Sequence, residues 1–292
     1  MKYAYYPGCA SQTITKEYDS TTKKVCKILG IELLEMTDAN CCGAGLITDY
    51  NYELSITLNA RIFAIAEKMG LDIMTICSTC LMIMSRANKE LKEFPKLLKK
   101  VNKTLEKAGL HYSGNVKVTH FLWTLSQDYG LDKLKAMVKK PLKDMKIAPY
   151  YGCHILRPSN ALGFDDPEKP VSLERLIETL GGDAMPNEGK TRCCGFQIVL
   201  VTQETAVDMI GNRLKEAKDA GGKCMVSPCP LCHINLDSYQ REAEKKTHQK
   251  FEMPVFHLSQ IVGLALGMSI DELELGRHLV SPENAITTVV GD

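Results

Sequence analysis

The sequence predicts an α/β protein built from two tandem homologous halves, each a small parallel sheet flanked by helices, the two related by a pseudo-twofold axis. Three observations predict it. First, one cysteine pattern occurs twice: Gly8-Cys9, Cys41-Cys42-Gly43 and Cys77-Ser78-Thr79-Cys80, then Gly152-Cys153, Cys193-Cys194-Gly195 and Cys229-Pro230-Leu231-Cys232. In both copies 34 residues separate the Cys-Cys pair from the Cys-x-x-Cys pair, and only the first gap differs, 31 residues against 39. Second, other residues coincide at the same offset of 152: Arg61 with Arg213, Gly70 with Gly222, and the apolar set Leu54, Leu58, Ile62, Ile65 with Ala206, Ile210, Leu214, Ala217. Third, short β-rich runs alternate with helix-compatible stretches, the order expected of a parallel sheet.

Taken in order, Lys2 to Tyr6 reads as a strand ending at Pro7-Gly8-Cys9, and a helix-compatible stretch from about Thr13 to Leu29 stops at Gly30. Ile31 to Met36 reads as a second strand feeding the first Cys-Cys-Gly turn. Leu54, Leu58, Ile62, Ile65 and Met69 then recur at helical spacing, with Gly70 as a stop. Leu71 to Ile76 is a third strand delivering Cys77 and Cys80; a Lys-rich helical region follows, then a strand near Val116 to Thr119 and a helix from about Phe121. The second half repeats this: Ile147 to Tyr151, a helix near Leu173 to Leu180, an apolar stretch near Ala184, the Ala206–Ala217 helix, and Val255-Phe256-His257 matching Val118-Thr119-His120. The expected division is residues 1–145, residues 146–280 and a C-terminal tail, 281–292. Every cysteine cluster follows a predicted strand, and the crevice beyond the carboxyl ends of strands is where open α/β sheets bind ligands.

Composition bounds the function. The 292 residues are 45% hydrophobic and 24% charged with a formal net charge of +1, which gives no reason to expect nucleic acid as a partner. Residues 89–146 hold 14 Lys against 6 acidic residues, a solvated face or a docking surface for an acidic partner. Met1 to Ala10 lacks a charged segment followed by an apolar core, so no signal peptide is expected there, and no apolar run approaches the roughly 18 residues of a membrane span. The expected location is the cytoplasm, where thiols stay reduced and clustered cysteines bind metal or do redox chemistry instead of forming a disulfide framework.

Five thiolates in one pocket repel and need a cationic centre. A zinc ion takes four ligands, so a fifth is surplus, whereas a polynuclear iron–sulfur centre uses more thiolates. The candidate metal ligands are Cys9, Cys41, Cys42, Cys77 and Cys80, and Cys153, Cys193, Cys194, Cys229 and Cys232. Cys26, in a predicted helix, and Cys224, on a predicted strand, fall outside the pattern and read as small buried hydrophobes.

The double Cys, Cys-Cys-Gly, Cys-x-x-Cys pattern resembles the CCG domain family, and a chain of two such domains resembles the B subunit of the heterodisulfide reductase of methanogenic archaea. The resemblance covers nearly all of residues 1–280. It implies a noncubane iron–sulfur centre of the 4Fe–4S type in each motif and reduction of the coenzyme M–coenzyme B disulfide. It also implies partners: the iron–sulfur and the flavin-containing subunits of that reductase, and an associated hydrogenase or formate dehydrogenase. The ferredoxin-like Cys-x-x-Cys-x-x-Cys run of related organic-acid oxidation proteins is absent, so electrons are expected from a partner. Two alternatives stay open: a CCG electron-transfer protein serving another disulfide or organic-acid oxidation, and a zinc-stabilised scaffold.

Two departing thiols need protons. His154 follows Cys153 where the first half has Ala10, and is the expected proton donor or a tuning hydrogen bond. His120, His257 and His233 read as structural. Sulfonate, phosphate and carboxylate groups on such a substrate favour basic partners, for which Arg157, Lys190 and Arg192 are the candidates near cluster loops.

Overall fold

The computed structural model describes residues 1–290, and the side chains of residues 1–287. It contains two four-stranded, all-parallel sheets. The first is built from β1 (Lys2–Tyr6), β2 (Glu32–Glu35), β3 (Ile73–Thr75) and β4 (Val118–His120); the second from β5 (Lys146–Pro149), β6 (Asp183–Ala184), β7 (Cys224–Ser227) and β8 (Val255–His257). The orders are β2-β1-β3-β4 and β6-β5-β7-β8, the same arrangement twice. In each, the chain reverses direction across the sheet between its first and third strands, so a crevice opens at their carboxyl ends.

The strands are short and apolar because both faces are covered. Ala4, Tyr5, Ile73 and Met74 are buried, as are Ile147, Ala148, Met225 and Val226. Helices Lys16–Ile28, Tyr52–Met69 and Ser78–Glu93 flank the first sheet; Ser172–Thr179, Gln203–Asp219, Pro230–Ser238 and Leu258–Ala265 flank the second.

One helix is rotated from the expected stripe. In Tyr52–Met69, Leu54 is 45% exposed and Leu58, Ile65 and Met69 are only half-buried, while Ile56, Asn59, Ala60, Ile62 and Phe63 face inward. The rotation has a local cause. Asn59 Nδ2 donates to the Cys42 carbonyl (2.9 Å), so the face that supports the Cys-Cys-Gly loop is the one turned inward. The matching second-half helix buries Ala206, Ile210, Leu214 and Ala217 as their spacing predicts.

The two halves share a core. One apolar cluster holds Tyr3, Tyr5, Tyr18 and Val25 of the first half with Leu173, Ile177, Phe256, Leu258 and Ile261 of the second. Helix Leu258–Ala265, which follows the last strand of the second sheet, lies against helix Lys16–Ile28 of the first half. Burying each such Leu or Ile contributes about 1.5–3 kcal/mol, so this seam is apolar and held, not a flexible hinge. The expected tail is also joined to it: Ala285 and Ile286 pack into the same cluster, and positions 291 and 292 lie outside the described residues.

Candidate metal centre

The first cysteine of each half follows the strand at the middle of its sheet. Gly8 precedes Cys9 and Gly152 precedes Cys153, both with positive φ (80° and 69°). A Cβ at Gly8 would lie 3.1 Å from Cys80 Sγ, and one at Gly152 2.9 Å from Cys232 Sγ. Glycine at these positions therefore lets the backbone touch the last thiol of its own set.

Matching side chains brace the other loops. Tyr6 Oη donates to the Asn40 carbonyl (2.9 Å) and Tyr150 Oη to that of Arg192 (2.7 Å), the residues just before each Cys-Cys pair. The Cys77 amide donates to Thr75 Oγ1 (3.2 Å) and the Cys229 amide to Ser227 Oγ (3.3 Å). Cys77 and Cys229 each cap a helix, Ser78–Glu93 and Pro230–Ser238, whose free amides and dipole favour a thiolate there.

All twelve cysteines are free thiols, and the ten of the repeat gather into two sets. Cys42 and Cys80 Sγ are 3.4 Å apart. The neighbouring thiols of Cys42 and Cys9, with the Gly43 amide that donates to Cys41 Sγ (3.4 Å), hold the Cys41 pKa down to about 2. Cys193 is likewise held down to about 2 by the thiols of Cys153 and Cys194, with the Gly195 amide and the nearby His154 helping. The donors undergo the reverse shift: Cys42 is pushed up to about 12 by its bond to Cys41, and Cys9 and Cys153 are raised by theirs. Proton sharing of this kind is what crowded thiols do without a cation; a soft polycationic centre lets all five ionise.

The two sets adjoin at a seam where the residues next to Cys77 and Cys229 meet. There Cys229 is lowered by the neighbouring thiols of Cys232 and then Cys77, and Cys77 is raised by that of Cys229. Around this seam each Cys-x-x-Cys helix crosses to the other half: Ser78–Glu93 packs on Ser159–Leu162, and Pro230–Ser238 on Cys9–Thr13. Ser78 Oγ donates to the Pro228 carbonyl (3.5 Å), as does Tyr18 Oη (3.2 Å). Thr79 Oγ1 lies 3.0 Å from His154 Nδ1.

A narrow cavity of about 20 Å³, room for about one water, is lined by Cys153, Cys193, Cys194, Cys229 and Cys232, by Tyr151, His154, Phe196, Gln197 and Leu231, and by Ser78 and Thr79 from the other half. His154 is thus beside the thiols. Arg157, Lys190 and Arg192 do not line this cavity. Arg157 donates to the Thr191 and Pro167 carbonyls (3.0 and 2.7 Å) and pairs with Glu168 (2.9 Å). Lys190 is held by the Pro170 carbonyl (2.7 Å) and Glu174, and Arg192 by Glu216 (2.9 Å). Each head tethers a loop behind the thiols. A wider groove lined by Lys218, Lys223, Arg241 and Lys245 touches none of the ten thiols.

His120, His233 and His257 are buried beneath the thiol loops. Burial holds His120 down to about 4, and lowers His233 and His257 also. His233 stacks on His257 (ring centroids 3.8 Å), and His257 Nε2 pairs with Glu17 (3.0 Å), which Arg277 also binds (2.9 Å). Cys26 and Cys224 are fully buried and stand apart from both sets, with burial pushing Cys26 up to about 12. Sequence reasoning passed over Ser78, Thr79 and Gln197. The signal was present: Ser78-Thr79 differs in polarity from the equivalent Pro230-Leu231, as His154 does from Ala10.

A model of the cysteine-rich (CCG) domain matches residues 3–85 and again 147–237. The chain is 38% identical to a protein of Wolinella succinogenes named 8-methylmenaquinol:fumarate reductase membrane anchor subunit, over 96% of this chain and 97% of the relative. It is 31% identical to a Methanosarcina acetivorans protein named as the B subunit of a ferredoxin/F(420)H(2)-dependent CoB-CoM heterodisulfide reductase, over 96% and 94%. Among solved structures, a hypothetical protein from Helicobacter pylori shares the fold, with a TM-score of 0.77 at 14% identity, covering 96% of this chain and 52% of that one.

Proposed function

Because the chain belongs to the cysteine-rich CCG domain family, we propose that it is the disulfide-reducing iron–sulfur subunit of an oxidoreductase complex, each thiol set holding one cluster of the noncubane 4Fe–4S type. The observation that carries this reading is the closeness of the two sets: Ser78, next to Cys77, donates to the carbonyl of Pro228, next to Cys229 (3.5 Å), and Ser78 and Thr79 line the cavity of the second set. Two five-thiol sets meeting at one seam suit a substrate with two sulfur atoms. Zinc fits the donor set less well, because one thiol in each set would be left over.

When bound, such centres supply single electrons and iron sites with affinity for sulfur. The overall reaction, R–S–S–R′ + 2 e⁻ + 2 H⁺ → RSH + R′SH, takes its electrons from iron–sulfur and flavin centres of partner proteins. His154, fixed by Thr79, stands beside Cys193 and is the group placed to hand on a proton. The helix N-termini at Cys77 and Cys229 and the amides of Gly43 and Gly195 stabilise thiolate charge. Tyr6, Tyr150, Asn59 and Asn235 hold the loops, the last by donating to the Cys194 carbonyl (2.7 Å).

The coenzyme M–coenzyme B disulfide is one candidate substrate, and its anionic groups need cations that this cavity does not itself offer. A second reading follows from the Wolinella relative: an electron-transfer role in a quinol-linked reductase. Among the described residues no helix is long and apolar enough to cross a membrane. The test is iron, zinc and acid-labile sulfide analysis of anaerobically prepared complex, followed by turnover with disulfides and with fumarate. Iron and sulfide for two clusters with disulfide turnover supports the first reading. Fumarate-linked turnover alone moves it to the second, and zinc without sulfide sinks both.

A further inference from the structure

We infer that Glu17, His257 and His233 form a further metal site, separate from the ten thiols, which takes one zinc ion and ties the first half of the chain to the second.

The three side chains come from three elements. Glu17 lies in the first turn of helix Lys16–Ile28 of the first half, His257 ends β8 of the second, and His233 follows Cys232 on helix Pro230–Ser238. They are 4%, 0% and 4% exposed. One donor atom from each lies within 4.8 Å of the other two. A carboxylate with two imidazoles is a donor set that zinc accepts without any thiolate.

Two further observations point to an ion. Glu17 Oε1 and His257 Nε2 stand 3.0 Å apart, while Arg277 holds only the other oxygen, Oε2 (2.9 Å). Two ligands at 2.0–2.1 Å on one tetrahedral zinc are about 3.3 Å apart, so this pair is already near the required spacing. The second observation is His233 itself. Neither of its ring nitrogens has a hydrogen-bond partner among the described residues, although the ring is buried. Buried polar atoms are normally satisfied, and leaving one unpaired costs free energy that a bound cation removes. His233 stacks on His257 with ring centroids 3.8 Å apart, so its ring has to turn out of the stack to aim a nitrogen at the ion. No hydrogen bond opposes that turn. His278, edge-on to His233 at 5.0 Å and with Nδ1 also unpartnered among the described residues, is a donor for the fourth position.

The repeat supplies an internal control. His120 ends β4 as His257 ends β8, but Leu81, buried, occupies the position that matches His233. The first half therefore lacks the second imidazole, and one ion per chain is expected. Bound there, the ion joins helix Lys16–Ile28 to the strand and the helix that carry the second thiol set, beside the apolar seam between the halves.

The site is tested on anaerobically prepared complex with full iron and sulfide content, given one equivalent of zinc chloride per chain and then gel-filtered. About one zinc per chain should be retained, and zinc-edge X-ray absorption should show only nitrogen and oxygen neighbours, at about 2.0–2.1 Å. Glu17→Gln keeps the size of the side chain, and His233→Leu installs the residue the first half already carries. Each should weaken zinc binding about tenfold or more at unchanged iron content. Absence of retained zinc from the unaltered, iron-loaded complex overturns the site, as does undiminished zinc in both variants. Sulfur neighbours at about 2.3 Å also overturn it, because they place the zinc on the thiols. The unaltered protein decides the matter even if a variant fails to fold. Zinc on nitrogen and oxygen in a protein that takes up no iron or sulfide would leave this site standing and remove the proposed function instead.

Discussion

Where the second pocket presents His154, Gln197 and the crossing Ser78-Thr79 pair, the residues at matching positions of the repeat are Ala10, Gly45 and Pro230-Leu231. Around both pockets, the parts that shape the thiol sets are the same: Gly8 and Gly152, Tyr6 and Tyr150, Thr75 and Ser227. The difference teaches what duplication constrains. A residue that sets thiol geometry cannot change without losing the set, so it recurs. A residue on the wall is free to differ, and His154, Gln197 and the Ser78-Thr79 pair have no polar counterparts at the matching positions.

The largest test of the comparison is to remove one thiol from each set. Cys42→Ser and Cys194→Ser should each cost about half of the iron and sulfide and bring disulfide turnover to background. Retained turnover with one cluster would show the two pockets to be independent. Cys229→Ser should disturb both pockets, because its loop also meets the Cys77 loop, where Ser78 donates to the Pro228 carbonyl.

Next is close approach. Gly152→Ala places a methyl at 2.9 Å from Cys232 Sγ against 3.1 Å for Gly8→Ala and Cys80, both at positive φ. Each should cost about 1–3 kcal/mol and lower cluster occupancy, the second half more. Thermal unfolding with iron analysis checks the ranking, and equal losses break it.

Thr79→Val removes the hydroxyl that meets His154 and should lower turnover by about 10–100-fold at normal iron content, with Thr79→Ser restoring it. Leu231→Val, at the matching position of the repeat and on the wall of the same cavity, has no hydroxyl to lose and should leave turnover near normal. A similar loss in both would mean that the shape of the cavity matters and the hydroxyl does not.

Acid should separate the halves as well. His120 in the first half, and His233, His257 and His278 in the second, are kept neutral by burial, with His120 and His278 down to about 4. The unfolded chain takes up these protons near pH 6.5 and the folded one only lower, so stability falls as pH drops from 6.5 toward about 4. Each pH unit in that window costs about 1.4 kcal/mol per histidine. Hydrogen exchange should show the second half opening first; uniform opening would mean that the shared core governs.

The smallest effect belongs to what the halves share. Tyr6→Phe and Tyr150→Phe each lose one hydrogen bond to a loop carbonyl, about 0.5–1.5 kcal/mol by denaturant unfolding, and the two losses should match.

Much of this molecule was legible in the residue order. The duplicated cysteine spacing, the alternation of strands and helices and the break between sheets follow from local chemistry: glycine stops, apolar strand runs, and thiols spaced to meet at strand ends. The helical stripe of Leu54 and Leu58 misled, because a periodic pattern does not say which neighbour a helix must serve, and Asn59 serves Cys42. The basic candidates Arg157, Lys190 and Arg192 sit close to cluster loops in sequence, yet charge alone does not say whether a head faces a cavity or a carboxylate.

By itself, then, the sequence determined that there are two equivalent five-thiol sets on two parallel sheets, since spacing and periodicity are properties of the chain. Tertiary packing alone brings Ser78, beside Cys77, to the Pro228 carbonyl, beside Cys229, brings Thr79 to His154 across 75 positions, and sets both residues on the wall of the other half's cavity. Contacts between distant positions depend on how the apolar faces of two halves bury one another, and no local pattern encodes that.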